Sequence, residues 1–66
     1  MNKDTQKNIT IVNQNGEPIK EIRSVWLKNL DADTLSYFYH ENGITFYVTI
    51  DLDTIEIGGV MIKDEK

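Results

Sequence analysis

The sequence predicts a small, mainly β domain, built as an antiparallel meander or as a five-stranded barrel-like sheet. Short runs rich in Ile, Val, Thr, Tyr and Phe, which is the composition of strands, alternate with turn-forming segments. Apolar and polar residues also alternate along residues 35–50, around an Asn-Gly pair that is typical of hairpin turns. The turn-forming segments lie at residues 13–16, 29–34, 42–43, 51–54 and 58–59.

The hairpin over residues 35–50 is predicted pair by pair. Asn42-Gly43 suits a two-residue type I′ turn, because both positions of that turn require a positive φ. A turn there places Phe38 opposite Tyr47, and opposed residues share one face of the sheet. One face is then apolar, and the other is polar except for Phe38 and Tyr47. The expected core face holds Leu35, Tyr37, Tyr39, Phe46, Val48 and Ile50, and the expected outer face holds Ser36, Phe38, His40, Thr45, Tyr47 and Thr49.

The following segment is expected to fold back onto this hairpin. A tight turn at Asp53-Thr54 would place Ile50 opposite Ile57 on the core face. The apolar phase then shifts, and one extra residue at Gly58-Gly59 corrects it, since glycine within a strand often marks a bulge. The same register sets Asp51 opposite Glu56 on the outer face, which is an unfavourable like-charge pair. The expectation is therefore either a different turn or a cation at this position.

The N-terminal half is open to two interpretations. Residues 9–12 and 19–22 flank Asn15-Gly16 and suggest a second hairpin, with residues 25–29 as a further strand. The alternative is an α+β fold in which a helix over residues 18–30 packs on an antiparallel sheet. Helical spacing of the apolar residues supports that alternative, but the β-branched residues near its centre are mediocre helix formers, so strands are favoured. The helically spaced residues are Ile19, Ile22, Trp26 and Leu30.

The chain length predicts one domain over residues 8–63, between a flexible polar tail at residues 1–7 and a polar end at residues 64–66. A chain of 66 residues is near the lower limit for independent folding. It has no cysteine, which excludes disulfides and thiolate zinc sites, so stability must come from a well-packed core or from self-association. Self-association as a homo-oligomer is favoured over a well-packed core alone. The polar start and the lack of a long apolar run predict a cytoplasmic protein that does not enter a membrane.

The charge distribution disfavours nucleic acid as a partner. The net charge is −4, and no Lys or Arg occurs in residues 31–62. Because affinity for a phosphate backbone comes from neutralising its charge with bases, the C-terminal half cannot supply it. The alternative of a nucleic-acid-binding small β-barrel would depend on a basic strip formed by Lys20, Arg23 and Lys28.

The candidates for catalysis and metal binding are few. The acidic pairs at residues 31 and 33 and at residues 51 and 53 invite a calcium interpretation. An EF-hand loop from Asp31 would require Gly and Glu at the positions that hold Ser36 and Asn42, so that interpretation fails. Aspartate is also common in turns, because its side chain bonds nearby backbone. His40 is the single histidine, and the predicted register brings no nucleophile within its reach. We therefore expect no catalytic residue, no metal site and no cofactor, and we predict that the protein is not an enzyme.

The remaining candidate site is the aromatic surface of the hairpin. A Phe–Tyr pair on an outward face is costly in water without a partner, unless the segment through Trp26 covers it within the fold. The prediction is a small acidic protein-binding module, an inhibitor or accessory protein whose composition suits an AT-rich bacterial or phage genome. Its partner would be another protein or a second copy of itself, and a purely structural self-associating module is a further alternative. The predicted interface consists of Trp26, Phe38, His40, Tyr47, Asp51 and Glu56.

Overall fold

The computed structural model describes residues 5–65, and these form an open antiparallel sheet of five strands without a helix. The prediction of a mainly β antiparallel meander is confirmed, and the helix alternative over residues 18–30 is wrong. The sheet does not close into a barrel, because its order is β4-β3-β2-β1-β5 and the two outer strands do not pair with each other. The strands are β1 (Lys7–Asn13), β2 (Pro18–Leu30), β3 (Thr34–Glu41), β4 (Ile44–Asp51) and β5 (Ile57–Asp64).

The β3–β4 hairpin forms in the predicted register. Its eight pairs run without interruption from Glu41 opposite Ile44 to Thr34 opposite Asp51. Asn42 and Gly43 have φ values of 56° and 78°, and a type I′ turn requires positive φ at both positions. The local sequence therefore fixes this hairpin.

The predicted β1–β2 hairpin is also present, and the side chain of Asn13 organises its turn. Asn13 Oδ1 accepts hydrogen bonds from the backbone N–H groups of Asn15 and Glu17, both at 2.9 Å. Gly16 donates its N–H to the carbonyl oxygen of Asn13 at 3.0 Å and has a φ of 83°. Only glycine adopts that conformation without steric cost, so Gly16 is suited to this position.

Strand β2 bends in its middle and serves both halves of the sheet. Ser24 has a φ of 61°, and together with Arg23 it lies opposite the single residue Asn8, which makes a β-bulge. Asn8 Oδ1 accepts the N–H of Ser24 at 3.0 Å, and Gln6 Nε2 donates to the Ser24 carbonyl at 2.8 Å. These two side chains provide the hydrogen bonds that the backbone of Ser24 would otherwise make with a neighbouring strand. Residues 25–29 are therefore a continuation of β2 and not a separate strand, which corrects that part of the prediction.

Strand β5 pairs with β1, and the predicted pairing with β4 is wrong. Ile62 lies opposite Ile9, and Val60 lies opposite Ile11. Between β4 and β5 the chain leaves the sheet at Leu52, whose N–H bonds the carbonyl oxygen of Asp33 at 2.7 Å. The connection carries β5 to the other half of the sheet, where its apolar residues meet those of β1.

This pairing also changes two details of the prediction. Asp51 lies opposite Thr34, and Glu56 precedes β5 in a turn, so the expected Asp51–Glu56 pair does not form. The predicted bulge at Gly58-Gly59 is present, although it is opposite β1. Val12 pairs with Gly59 and Asn13 pairs with Ile57, which leaves Gly58 as the extra residue.

The bend in β2 creates two layers that enclose one core. One layer is β5, β1 and the first part of β2, and the other is the second part of β2 with β3 and β4. Leu27, Tyr39, Val48 and Ile50 are among the partly buried side chains around the core. Phe46 was predicted in the core but is 40% exposed, because the tip of the hairpin is not covered by the other layer. The buried cluster is Ile9, Ile11, Ile22, Val25, Leu35 and Tyr37.

Candidate protein-binding face

A row of three aromatic rings crosses the outer surface of the β2–β3–β4 layer. Trp26 lies opposite Phe38, and Phe38 lies opposite Tyr47, so the three side chains occupy adjacent strands on one face. The Trp26 and Phe38 rings are stacked, with centroids 5.6 Å apart and an interplanar angle of 13°. The Phe38 and Tyr47 centroids are also 5.6 Å apart, with a tilt of 40°. Strand alternation places all three rings on the side away from the core.

His40 extends this row toward the hairpin turn. Its ring centroid lies 5.0 Å from that of Trp26 and 5.8 Å from that of Phe38. Its Nδ1 atom is 2.8 Å from Oγ1 of Thr45, the residue opposite on β4. The hydrogen bond to Thr45 and the two ring contacts hold the imidazole in place. We call Trp26, Phe38, His40 and Tyr47 the aromatic face.

Lys28 supplies a positive charge at the edge of the aromatic face. It is the extra residue between Leu27 and Asn29, which pair with Tyr37 and Ser36. Its Nζ atom lies 5.6 Å from the centroid of the Tyr47 ring, within the range of a cation–π interaction. The charge of Lys28 by itself predicts only a place in a basic strip. Its position two residues after Trp26 on an alternating strand is the signal that could have placed it on this face.

The aromatic face is open to solvent at its β4 end. Tyr47 is 69% exposed, Trp26 and Phe38 are partly exposed, and His40 is exposed. None of these residues belongs to the buried core cluster of residues 5–65. Trp26 lies beside Phe38 in the same layer, so it enlarges the face and does not cover it. The structure thus brings together four of the six predicted interface residues.

Asp51 lies at the other end of the same layer, among aspartates that shape the neighbouring turns. Asp51 Oδ1 accepts the N–H of Asp53 at 3.0 Å. Asp31 Oδ1 accepts the N–H groups of Asp33 and Thr34 at 3.0 and 2.9 Å. The hydrogen bonds from the Asp33 backbone, the Asn29 side chain and the Thr34 backbone lower the pKa of Asp31. These exposed carboxylates therefore have structural roles as turn acceptors and give this end a negative charge.

Glu56 lies outside the β2–β3–β4 layer, in the turn that precedes β5. It lines a shallow cavity of ≈ 360 Å³ between the β1–β2 turn and the segment that precedes β5. Gln14 closes part of this region by donating from Nε2 to the carbonyl oxygen of Ile55. The residues of the cavity are Asn13, Gln14, Asn15, Ile19, Ile55 and Glu56. Glu56 is therefore not part of the aromatic face.

The three bases of the nucleic-acid alternative do not form one strip. Lys20 and Arg23 precede the bend in β2 and Lys28 follows it, so they belong to different layers. Arg23 is paired with the carboxylate of Glu21 at 3.2 Å. Only Lys28 reaches the aromatic face. Within residues 5–65 no group of three His, Cys, Asp or Glu side chains is arranged to hold a metal ion.

Comparisons of the chain with protein-family models, with curated proteins and with solved structures gave no match. In the described part of the chain, no helix has the length and apolar character that crossing a membrane requires.

Proposed function

We propose that this protein is a non-catalytic protein-binding module that contacts its partner through the aromatic face. The observation that carries the proposal is the solvent-exposed row of rings, which ends at Tyr47 with 69% of its surface exposed. Tyr and Trp are the residues most enriched at the energetic centres of protein interfaces. A contiguous row of them outside the core is typical of a surface that another molecule covers.

The energy available from covering this row is large for so small a domain. An aromatic side chain buries about 200 Å² when fully covered, so covering the exposed part of Tyr47 gains roughly 3 kcal/mol at about 25 cal/mol per Å². The rings are already held by cross-strand stacking and by the His40–Thr45 hydrogen bond. Because little side-chain freedom remains to be lost, more of that gain is available as binding free energy.

Charge favours a basic partner. The layer that carries the aromatic face ends in four exposed aspartates, at residues 31, 33, 51 and 53, and no Lys or Arg occurs in residues 31–62. A negative patch on the layer that carries an apolar anchor attracts a protein surface in which apolar side chains are accompanied by Lys or Arg. An inhibitor or accessory protein would use such carboxylates where its target normally receives phosphates.

The test is affinity capture from the native cell lysate, with nuclease treatment and quantitative mass spectrometry. The variant Phe38→Thr/Tyr47→Thr removes two rings and keeps strand propensity. The matched control is Met61→Thr, which removes an apolar side chain that is 51% exposed in the β5–β1–β2 layer. We expect a partner that the unchanged protein and the control retain and the double variant loses by at least tenfold. Equal capture by a folded double variant would contradict the proposal.

A second candidate function, binding of single-stranded nucleic acid, is supported by the placement of Lys28 over the Tyr47 ring. Bases stack on aromatic rows of this kind, and a neighbouring cation adds to the binding. The direct test is a fluorescence titration with labelled DNA and RNA oligonucleotides at low salt. Binding that weakens steeply with salt and is lost in the Phe38→Thr/Tyr47→Thr variant would support this candidate. No binding at low salt would exclude it.

A further inference from the structure

The outer edge of β4 has the features of a strand that pairs with another strand. Strand β4 hydrogen-bonds to β3 on one side, and within residues 5–65 no strand lies on its other side. Exposed edges in stable proteins usually carry charges, prolines or bulges that prevent pairing. Residues 44–50 have none of these, and their register with β3 is uninterrupted. The other outer strand, β5, is protected by a glycine bulge and by Lys63 and Asp64 near its end.

The sequence of this edge is nearly symmetrical about Tyr47. Read in either direction from Tyr47, the order is an aromatic or β-branched residue, then Thr, then Ile, since residues 44–50 are Ile-Thr-Phe-Tyr-Val-Thr-Ile. In an antiparallel pair centred on Tyr47, a second copy would set Tyr47 opposite Tyr47, Thr45 opposite Thr49 and Ile44 opposite Ile50. Like pairs of Thr and pairs of aromatic residues stabilise antiparallel strands. The edge is therefore complementary to itself.

The hydrogen-bonding phase of the hairpin agrees with the same centre. A two-residue turn closes on a hydrogen-bonded pair, here Glu41 and Ile44, and bonded pairs then alternate along the strands. The backbone N–H and C=O groups of Thr45, Tyr47 and Thr49 consequently point away from β3. These groups would make the hydrogen bonds in a pair centred on Tyr47. Ile44 and Phe46 of this strand are 55% and 40% exposed, and side chains of the second strand would cover part of both.

The lack of charge along this edge is compatible with a second copy as the occupant. Two molecules of net charge −4 repel each other, so any self-association requires a contact without opposed carboxylates. Residues 42–50 contain no Asp, Glu, Lys or Arg, and pairing centred on Tyr47 sets Asp51 opposite the uncharged Gly43. We infer that two copies of this protein pair through β4, antiparallel and centred on Tyr47, to form a ten-stranded sheet in which the two aromatic rows become continuous. This goes beyond the proposed function and does not depend on it.

The experiment is sedimentation of the full chain over a concentration series, together with two charge variants. We expect a monomer–dimer equilibrium in the micromolar range, with a dimer of twice the 7.6 kDa monomer mass. Thr45→Lys/Thr49→Lys sets lysines opposite each other across the dimer and should weaken it by at least tenfold. Thr45→Lys/Thr49→Glu sets each Lys opposite a Glu and should restore it. Circular dichroism confirms that both variants keep the β-sheet spectrum.

A second measurement locates the axis of the dimer. The protein has no cysteine, so a single introduced cysteine reports its own proximity to the same position in the second copy. Tyr47→Cys should form a disulfide-linked dimer on mild oxidation, and Met61→Cys, which is exposed on β5, should remain monomeric under the same conditions. A monomer at all concentrations would overturn the inference. So would a dimer that survives Thr45→Lys/Thr49→Lys, or one that Thr45→Lys/Thr49→Glu does not restore.

Discussion

Gly58 and Gly59 provide a matched pair for testing how closely β5 approaches β1. A Cβ atom added at Gly58 would lie 2.3 Å from the carbonyl oxygen of Asn13 and 2.7 Å from Cα of Gln14. A Cβ atom added at Gly59 would meet only Cγ2 of Val12, at 3.6 Å, which is an ordinary van der Waals contact. The two glycines are adjacent in sequence and both lie in β5, so intrinsic propensity affects them alike. The change Gly58→Ala should therefore be far more destabilising than Gly59→Ala.

The size of the difference follows from the overlap. The atoms that would meet the new methyl group at residue 58 belong to backbone, and they can move only if the start of β5 separates from β1. Overpacking of this kind costs about 3 kcal/mol. The free energy of unfolding of a domain this small is roughly 3–10 kcal/mol. Gly58→Ala should thus lower Tm by roughly 12–24 °C, and Gly59→Ala should change it by about 4 °C or less.

The assay is equilibrium urea unfolding followed by the fluorescence of Trp26, the single tryptophan, with thermal unfolding by circular dichroism. Trp26 lies in the other layer, so a change in its transition reports cooperative unfolding and not local fraying of β5. Equal midpoints for the two alanine variants would refute the close approach of β5 to the β1–β2 turn. They would also refute the assignment of Gly58 as the bulged residue.

Four further predictions concern stability. The first concerns the bulge in β2. Ser24→Gly should stabilise the protein by about 0.5–1 kcal/mol in urea unfolding, because Ser24 has a positive φ, and Asn8→Ala should destabilise it by about 1–2 kcal/mol, because it removes the acceptor of the Ser24 N–H. Destabilisation by Ser24→Gly, or stabilisation by Asn8→Ala, would contradict the described bulge. Leu35→Ala should cost about 2–5 kcal/mol in the same assay, because Leu35 is fully buried, and a loss below about 1 kcal/mol would contradict its place in the core. Backbone and side-chain hydrogen bonds lower the pKa of Asp31 in the folded protein, so its contribution to the free energy of unfolding is present above the unfolded pKa and is lost as the pH falls through the folded pKa. The difference in stability between the unchanged protein and Asp31→Asn should therefore disappear on acidification. A difference that stays constant with pH would contradict this. Burial, and to a smaller extent the neighbouring Tyr39, raises the pKa of Tyr37, so its contribution to the free energy of unfolding is present below the unfolded pKa and is lost as the pH rises through the folded pKa. The variant Tyr37→Phe should therefore lose less stability at alkaline pH than the unchanged protein. Identical pH profiles of stability would argue against the raised pKa.

Much of the aromatic face could be predicted from local sequence. Phe38, His40 and Tyr47 follow from the Asn42-Gly43 turn and strict alternation, and the structure places them where that rule requires. Trp26 was predicted as an interface residue or as a cover, and only its pairing with Phe38 decides between these. Lys28 lies two residues after Trp26, so alternation along β2 places it on the same face, although its charge by itself predicts only a basic strip. The role of β4 as an edge could not be predicted, since it depends on where β5 pairs.

Local sequence specifies the elements whose partners are close in the chain. Turn residues with a positive φ and the alternation of apolar side chains define both hairpins, because each needs only local geometry. The crossing of β5 to β1 and the bend of β2 at Ser24 are evident only in the folded protein. The alternation of apolar residues in β5 is compatible with pairing to β4 and equally with pairing to β1. The choice between them depends on enclosing one core between two layers, which is a property of the whole chain and not of any segment.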